Sequence, residues 1–181
     1  MTIKQNVLPA ITNHKVLRKF LESNLEYGIL MNFQLAQLPD LVSLMKKNNK
    51  KVIVHQELIR GLARDEFGAL FLIQNLNVDG IITSKANVVT LCNKRNVTSI
   101  LRIFLKDSLS LNQSIEIANK TLPNYVEILP SSAIMMIDEI KEELKTELIF
   151  SGLIQTEEQA KDCLNKGAVA ISTSNPEFWD I

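Results

Sequence analysis

Short apolar segments recur along the chain, and their first residues lie 20 to 28 positions apart. Eight segments follow this pattern, at residues 7–10, 27–31, 52–54, 80–83, 100–105, 125–129, 148–150 and 169–171. Continuous apolar runs, unlike alternating ones, are typical of strands that are buried on both faces of a parallel sheet. The pattern therefore predicts eight buried, parallel strands.

The intervals between these runs have the spacing of amphipathic helices, with one apolar face toward the core. Three groups of residues show it: Leu35, Leu38, Leu41, Val42 and Met45; Phe67, Leu70 and Phe71; and Ile134, Met135, Ile137, Ile140 and Leu144. Thr156, with Gln159 three residues later, resembles a capping box at a helix start, and Gly167 suits the position just after a helix. The chain thus alternates strands with helices.

Eight strand–helix units predict a compact (β/α)8 TIM-type barrel with short outer helices, in one domain that spans residues 1–181. The alternative is an open doubly wound sheet, which usually has a glycine-rich turn after its first strand. The corresponding turn, residues 9–12, contains no glycine. Because such barrels typically need ~250 residues, a chain of 181 residues must have an incomplete outer ring, which favours a homo-oligomer.

Composition narrows the function classes only slightly. Twenty basic and twenty acidic residues cancel, so net charge does not point to a nucleic acid or a membrane surface. No apolar run approaches the ~20 residues of a membrane span. Cys92 and Cys163 lie far apart and outside any metal or redox motif, so we expect buried thiols, no metal and a cytoplasmic location.

Barrels of this type carry their functional residues at the carboxyl ends of the strands, so the polar residues at these positions are the candidates for a site. The last two strands run into small polar turns, Ser151-Gly152 and Thr173-Ser174-Asn175. In barrels of this type, backbone N–H groups and hydroxyls at these two turns commonly surround a phosphate. We therefore predict that Ser151, Gly152, Thr173, Ser174 and Asn175 bind the phosphate of a small molecule.

Other polar residues at strand ends form the rest of the predicted site: Asn32, His55, Glu57, Thr83, Arg102 and Glu127. Arg102 and Glu127 lie on adjacent predicted strands, so they could form a buried ion pair that only organises the core, or they could bind ligand hydroxyls. His55 and Glu57 could act as an acid–base pair. Alternatively, the two side chains form a polar contact that only stabilises the fold.

Several short phrases of this sequence, taken in order, resemble the glycerol uptake operon antiterminator family. They are Val7-Leu8-Pro9-Ala10, Val54-His55, Leu58-Ile59, Gly61-Leu62, Asp65-Glu66, Asp79-Gly80-Ile81-Ile82, Arg102-Ile103-Phe104-Leu105, Asp107-Ser108, Val126-Glu127-Ile128-Leu129-Pro130, Gly152-Leu153-Ile154 and Thr173-Ser174-Asn175. The resemblance implies a barrel that senses glycerol 3-phosphate, needs no cofactor, is no enzyme, and acts on the mRNA leader of its operon to prevent transcription termination.

Carried over by resemblance, Gly152, Thr173, Ser174 and Asn175 would hold the phosphate, while His55, Arg102 and Glu127 would lie near the glycerol moiety. The chain departs from the family pattern at Asn32, Glu57, Lys85, Leu101, Ser131 and Ser151. At Ser151 the family usually has a second glycine, so a hydroxyl is added beside the phosphate. Two rival functions stay open: a phosphate-binding barrel enzyme acting on a small sugar or triose phosphate, and a sensor that acts through a protein partner.

RNA binding is implied by the resemblance alone, since the sequence has no basic stripe interleaved with aromatic residues. The densest basic cluster is Lys46, Lys47, Lys50 and Lys51. These lysines are the candidates for contacts to RNA phosphates, and the alternative is a solvated helix end.

Overall fold

The computed structural model describes residues 3–181 and contains the predicted closed barrel of eight parallel strands in the order β1 to β8. The strands are β1 (Val7–Ile11), β2 (Tyr27–Leu30), β3 (Lys51–His55), β4 (Gly80–Thr83), β5 (Thr98–Phe104), β6 (Tyr125–Leu129), β7 (Glu147–Ser151) and β8 (Ala170–Thr173). Closure comes from the pairing of β1 with β8, in which Leu8 lies opposite Ser172. All eight apolar segments are therefore strands, and the open sheet is excluded.

Within residues 3–181, seven α-helices pack outside the barrel: α1 (His14–Glu22), α2 (Leu38–Lys47), α3 (Glu66–Leu70), α4 (Ala86–Lys94), α5 (Ser108–Thr121), α6 (Ile137–Glu143) and α7 (Glu157–Asn165). Short 3-10 helices lie at Leu35–Gln37, Gln56–Leu58, Ser131–Met136 and Pro176–Phe178, and a π-helical turn follows α3 at Phe71–Asn75. The helices are short, as predicted. The longest has 14 residues.

The predicted helix start and stop signals have the expected geometry. Thr156 and Gln159 form a reciprocal capping box at the start of α7. Gly167 follows the end of the same helix with φ of +99°, a conformation that glycine adopts without a side-chain clash. These local signals place the end of α7 directly before β8, so β8 reaches the barrel after a short connection.

Two apolar layers result from the alternation of side chains along the strands. The inner layer fills the barrel with Ile3, Leu8, Tyr27, Ile29, Ile53, Ile82, Ile100, Tyr125, Ile149 and Ala170. The outer layer lies between strands and helices and includes the buried, free thiols of Cys92 and Cys163, as predicted. Residues two positions beyond the inner layer therefore also point inward, at the carboxyl end of the barrel.

The predicted burial of Phe67 and Met135 is wrong, because their side chains are 78% and 77% exposed. Asp65 caps α3 by accepting the N–H groups of Phe67 and Gly68, which fixes the rotation of this short helix. Gly68 lies so close to the backbone of Ala63 that a Cβ atom would overlap the Ala63 carbonyl. The small residues of α3 therefore face the barrel, and Phe67 faces solvent.

We predict that Tyr125→Phe destabilises the protein by about 1–3 kcal/mol, because it leaves a buried N–H group without an acceptor. The Tyr125 hydroxyl accepts the backbone N–H of Ile3 at 2.8 Å in the barrel interior. Urea unfolding measures the effect. Tyr27→Phe is the matched control, since the Tyr27 hydroxyl has no hydrogen bond within residues 3–181; equal losses in both variants would contradict the prediction.

Candidate functional site

A cavity of about 320 Å³ opens at the carboxyl end of the barrel. Eight predicted site residues line it: Asn32, His55, Arg102, Glu127, Ser151, Gly152, Thr173 and Ser174. The inner-layer residues Ile29 and Ile82 form apolar parts of its wall. The volume falls within the range of small-molecule sites, at roughly 300–1,000 Å³.

The two polar turns lie side by side because β7 pairs with β8 and Ser151 is opposite Ser172. In the second turn, the Thr173 hydroxyl accepts the N–H of Asn175 at 3.1 Å. The Asn175 side chain in turn accepts the N–H of Glu177 at 3.1 Å and caps the 3-10 helix that follows. Asn175 therefore shapes this turn from behind, and it is not one of the residues that line the cavity.

The first turn bends sharply because Gly152 and Leu153 both have positive φ, at +75° and +60°. Such a φ is rare for leucine and is a local strain that often marks a functional site. A Cβ atom at residue 152 would also lie 3.2 Å from the Leu129 side chain. The N–H groups of Gly152, Leu153 and Ser174 have no protein acceptor within residues 3–181, so these cavity-lining residues can donate to an anion.

Arg102 and Glu127 pair across the cavity wall, as their positions on β5 and β6 predicted. Arg102 Nε lies 3.6 Å from Glu127 Oε2. Burial raises the pKa of the Glu127 carboxyl, and the Arg102 charge and the hydroxyls of Ser151 and Ser172 act in the opposite direction. The Ser151 hydroxyl lies near the Glu127 carboxyl, but neither it nor Glu127 Oε2 forms a hydrogen bond of good geometry among the described residues, so both can bind a ligand.

His55 connects this pair to the next loop. Arg102 Nη1 contacts His55 Nε2, and because a guanidinium only donates, Nε2 must be the acceptor and Nδ1 must carry the proton. That proton faces Glu57 Oε2, which lies 3.4 Å from Nδ1. Burial and the Arg102 charge lower the pKa of His55 to about 4, while Glu57 acts in the opposite direction. At neutral pH the imidazole is therefore uncharged.

Glu57 and Thr83 lie outside the cavity lining, although both belong to the predicted site. Glu57 Oε1 accepts the Thr83 hydroxyl at 2.6 Å and the backbone N–H of Ser84 at 2.8 Å. The carboxylate therefore joins the loops after β3 and β4 and orients His55 from behind. Its contacts are those of a supporting residue.

Ser172 lines the cavity and is absent from the predicted set. It lies inside an apolar strand, two positions after the inner-layer residue Ala170. The period of two along strands could have identified it, since Ala170 and Ser172 share one side of β8. Its hydroxyl adds to that of Ser151 near Glu127.

The predicted lysine cluster lies at the opposite end of the barrel, where β3 begins. Lys50 is buried and donates to the carbonyl oxygens of Ser23 and Leu25 at 2.6 and 2.8 Å. Lys51 forms an ion pair with Asp79 at 3.6 Å, and Lys46 donates to the Asn77 carbonyl. Of the four, Lys47 has no hydrogen bond or ion pair to any residue from 3 to 181.

Two classes of site are missing from the described part of the chain. Residues 3–181 contain no group of three or more His, Cys, Asp or Glu side chains that could hold a metal ion. Within the same residues, the helices are too short or too polar to cross a membrane.

A family model and two solved structures point to the same family. The model of the family described as "Glycerol-3-phosphate responsive antiterminator" matches residues 7–179. A glycerol uptake operon antiterminator regulatory protein from Listeria monocytogenes strain 4b F2365 has a similar structure, with a TM-score of 0.93 and 32% identity, over 97% of this chain and 95% of its own.

Two further proteins match over nearly their full length. A glycerol uptake operon antiterminator-related protein from Thermotoga maritima MSB8 has a TM-score of 0.86 and 25% identity, and the match covers 98% of this chain and 99% of that protein. The uncharacterized protein YgcP of Escherichia coli K12 is 27% identical over 180 residues, which are 99% of this chain and 94% of YgcP.

We predict that His55 titrates with a midpoint near pH 4 in the folded protein, because it is buried beside Arg102. Since its ordinary pKa is about 6.5, the unfolded state binds the proton more tightly, and stability falls as the pH drops from about 6.5 toward 4. NMR of 13C-labelled histidine measures the midpoint. His14→Gln leaves His55 as the sole histidine.

Arg102→Gln tests the cause of this shift, since removing the positive charge should raise the midpoint. A His55 midpoint near 6.5 in the protein with Arg102 intact would show that the imidazole is not held as described.

Proposed function

Because the chain belongs to the glycerol-3-phosphate responsive antiterminator family, we propose that it binds glycerol 3-phosphate in the barrel mouth and then acts on the mRNA leader of a glycerol-utilisation operon to prevent termination. The observation that carries the ligand site is the meeting of two phosphate-type turns with a half-buried arginine in one cavity. Polar turns and inward-pointing arginines are each common on their own. Together in one cavity they provide donors for the phosphate and for the hydroxyl groups of one ligand.

In this proposal the phosphate lies between the turns after β7 and β8. The N–H groups of Gly152, Leu153 and Ser174 and the hydroxyls of Ser151 and Thr173 are the donors, and Asn175 keeps the second turn in shape. Backbone donors of this kind suit phosphate because they bring no side chain between the anion and the protein.

The glycerol hydroxyls lie toward Arg102 and Glu127 in this proposal. Arg102 can only donate hydrogen bonds and an ionised Glu127 can only accept them. A ligand hydroxyl can therefore accept from Arg102 and donate to Glu127. Asn32 and His55 complete the wall around this moiety, and Glu57 and Thr83 support His55 from behind. The buried Glu127 Oε2 atom supports the assignment, since it needs a donor.

The geometry of His55 supports a binding site over an acid–base enzyme. Arg102 occupies Nε2 and Glu57 faces Nδ1, so neither ring nitrogen is free to take a proton from a substrate. We therefore propose a regulator without catalytic activity or cofactor. Residues 1–181 act as one cytoplasmic domain in this proposal, and a homo-oligomer fits the exposed apolar surface.

We predict that isothermal titration calorimetry detects one-site binding of glycerol 3-phosphate and that Gly152→Asp abolishes it. The substitution adds a negative charge beside the phosphate and a side chain where φ is +75°. Gly167→Asp is the matched control, because Gly167 also has positive φ but lies at the far end of α7.

Glycerol and inorganic phosphate are the ligand controls, and each alone should bind more weakly than the whole molecule. Absence of heat at millimolar glycerol 3-phosphate would contradict the ligand assignment, whereas turnover of a sugar phosphate would favour the enzyme.

A further inference from the structure

We propose that single-stranded RNA docks on the barrel rim over β3, β4 and β5, beside the ligand cavity. This β3–β5 rim consists of Arg60, Arg64, Phe67, Lys85, Phe104 and Lys106. The inference rests on the proposed function, because it names the surface by which the loaded protein meets RNA. It places that surface away from the lysine cluster at residues 46–51.

Two aromatic rings on this rim are largely exposed, although one of them also contacts the Arg102 guanidinium. Phe67 is 78% exposed in the first turn of α3, and Phe104 is 53% exposed at the end of β5. Unstacked bases of single-stranded RNA pack on such rings without regard to sequence, and proteins that bind single strands use this contact repeatedly.

Basic side chains accompany the rings. Arg60, Arg64, Lys85 and Lys106 are exposed, and none forms an ion pair within residues 3–181. They are therefore available to RNA phosphates.

The acidic residues of the same rim already have partners. Asp65 caps α3, Asp107 caps α5, and Glu66 accepts the Asn87 side chain at 2.6 Å. These three carboxylates stay negatively charged, so the four basic side chains exceed them by one. The side chains without a hydrogen bond or ion pair within residues 3–181 are the basic ones, which can reach an RNA backbone.

Hydrogen bonds join the loops after β3 and β4, and helix packing places the loop after β5 beside them. Glu57 from the loop after β3 accepts the N–H of Ser84 after β4. Asn87 of α4 binds Glu66 of α3, and α4 packs between α3 and α5. Since β3, β4 and β5 are neighbours in the barrel, their carboxyl-end loops lie next to one another.

The rim is also coupled to the ligand cavity through Arg102. This side chain lines the cavity, and its guanidinium carbon lies 5.1 Å from the centre of the Phe104 ring. On its other side a polar chain runs through His55 and Glu57 to the N–H of Ser84. A ligand that engages Arg102 therefore touches a group linked to all three loops, which gives the RNA surface a route for ligand dependence.

The test measures binding of a fluorescent transcript of the operon's mRNA leader, with its reverse complement as control RNA, in saturating glycerol 3-phosphate. Phe67→Ala removes one stacking ring and should weaken leader binding by about 5- to 150-fold. Arg64→Glu with Lys85→Glu should make the negative slope of log affinity against log salt shallower by about 1.4, at ~0.7 for each lost phosphate contact.

Matched controls are placed away from the rim. Met135→Ala removes an apolar side chain of equal exposure, and Lys47→Glu with Lys94→Glu reverses two charges at the opposite end of the barrel. These controls should keep wild-type RNA affinity. Calorimetry with glycerol 3-phosphate should be unchanged in every variant, which shows that each one folds.

The possible results distinguish an error in the proposed RNA surface from an error in the proposed function. Wild-type RNA affinity in both rim variants, or a loss confined to the Lys47/Lys94 variant, overturns the rim while leaving leader recognition in place. If the wild-type protein does not distinguish the leader from its reverse complement, the proposed function is wrong, and the assignment of the β3–β5 rim as the RNA surface is wrong with it.

Discussion

A single guanidinium, that of Arg102, holds the polar groups of the barrel mouth together. It faces Glu127 on one side, His55 on another and the Phe104 ring on a third. Charged groups at this depth are costly unless each has partners, and removal of one partner leaves the other uncompensated. The arrangement of Glu127, His55 and, through it, Glu57 therefore depends on the position of Arg102 in the middle of β5.

The division between an apolar barrel and a polar mouth follows from one geometric rule. Inward-pointing residues occur at every second position, so Ile100 and Arg102 lie one above the other on β5, as do Tyr125 and Glu127 on β6. The lower members fill the interior with hydrocarbon. The upper members meet where the loops and solvent supply partners, and polar side chains are tolerated there.

Local sequence signals were sufficient for the fold and for several of the residues that meet in the cavity. The eight apolar runs, the capping box at Thr156 and the small polar turns each report a property of a few neighbouring residues. The Arg102–Glu127 pair was also within reach, because consecutive strands of a parallel barrel are adjacent and the residues lie opposite each other in register.

Features that depend on the rotation of a helix about its axis, or on contacts between residues far apart in the sequence, were not predictable in this way. The orientation of α3 is set by the close approach of Gly68 to Ala63, which apolar spacing does not report. Lys50 looked like part of a solvated cluster, yet it is buried against carbonyl oxygens of another connection. The basic and aromatic residues of the β3–β5 rim come from three loops, so no stretch of sequence shows them together.

The closed lower end of the barrel affects the rate at which a bound ligand can leave. The bond between Tyr125 and Ile3 and the apolar layer around it close the lower end, so the cavity is a blind pocket rather than a channel. Under the proposed function, a metabolite bound there would have to leave by the opening through which it came, and Arg102 in the cavity wall contacts Phe104 of the β3–β5 rim. An RNA lying there would obstruct departure, so the residence time of the metabolite would lengthen for as long as the RNA stays in place.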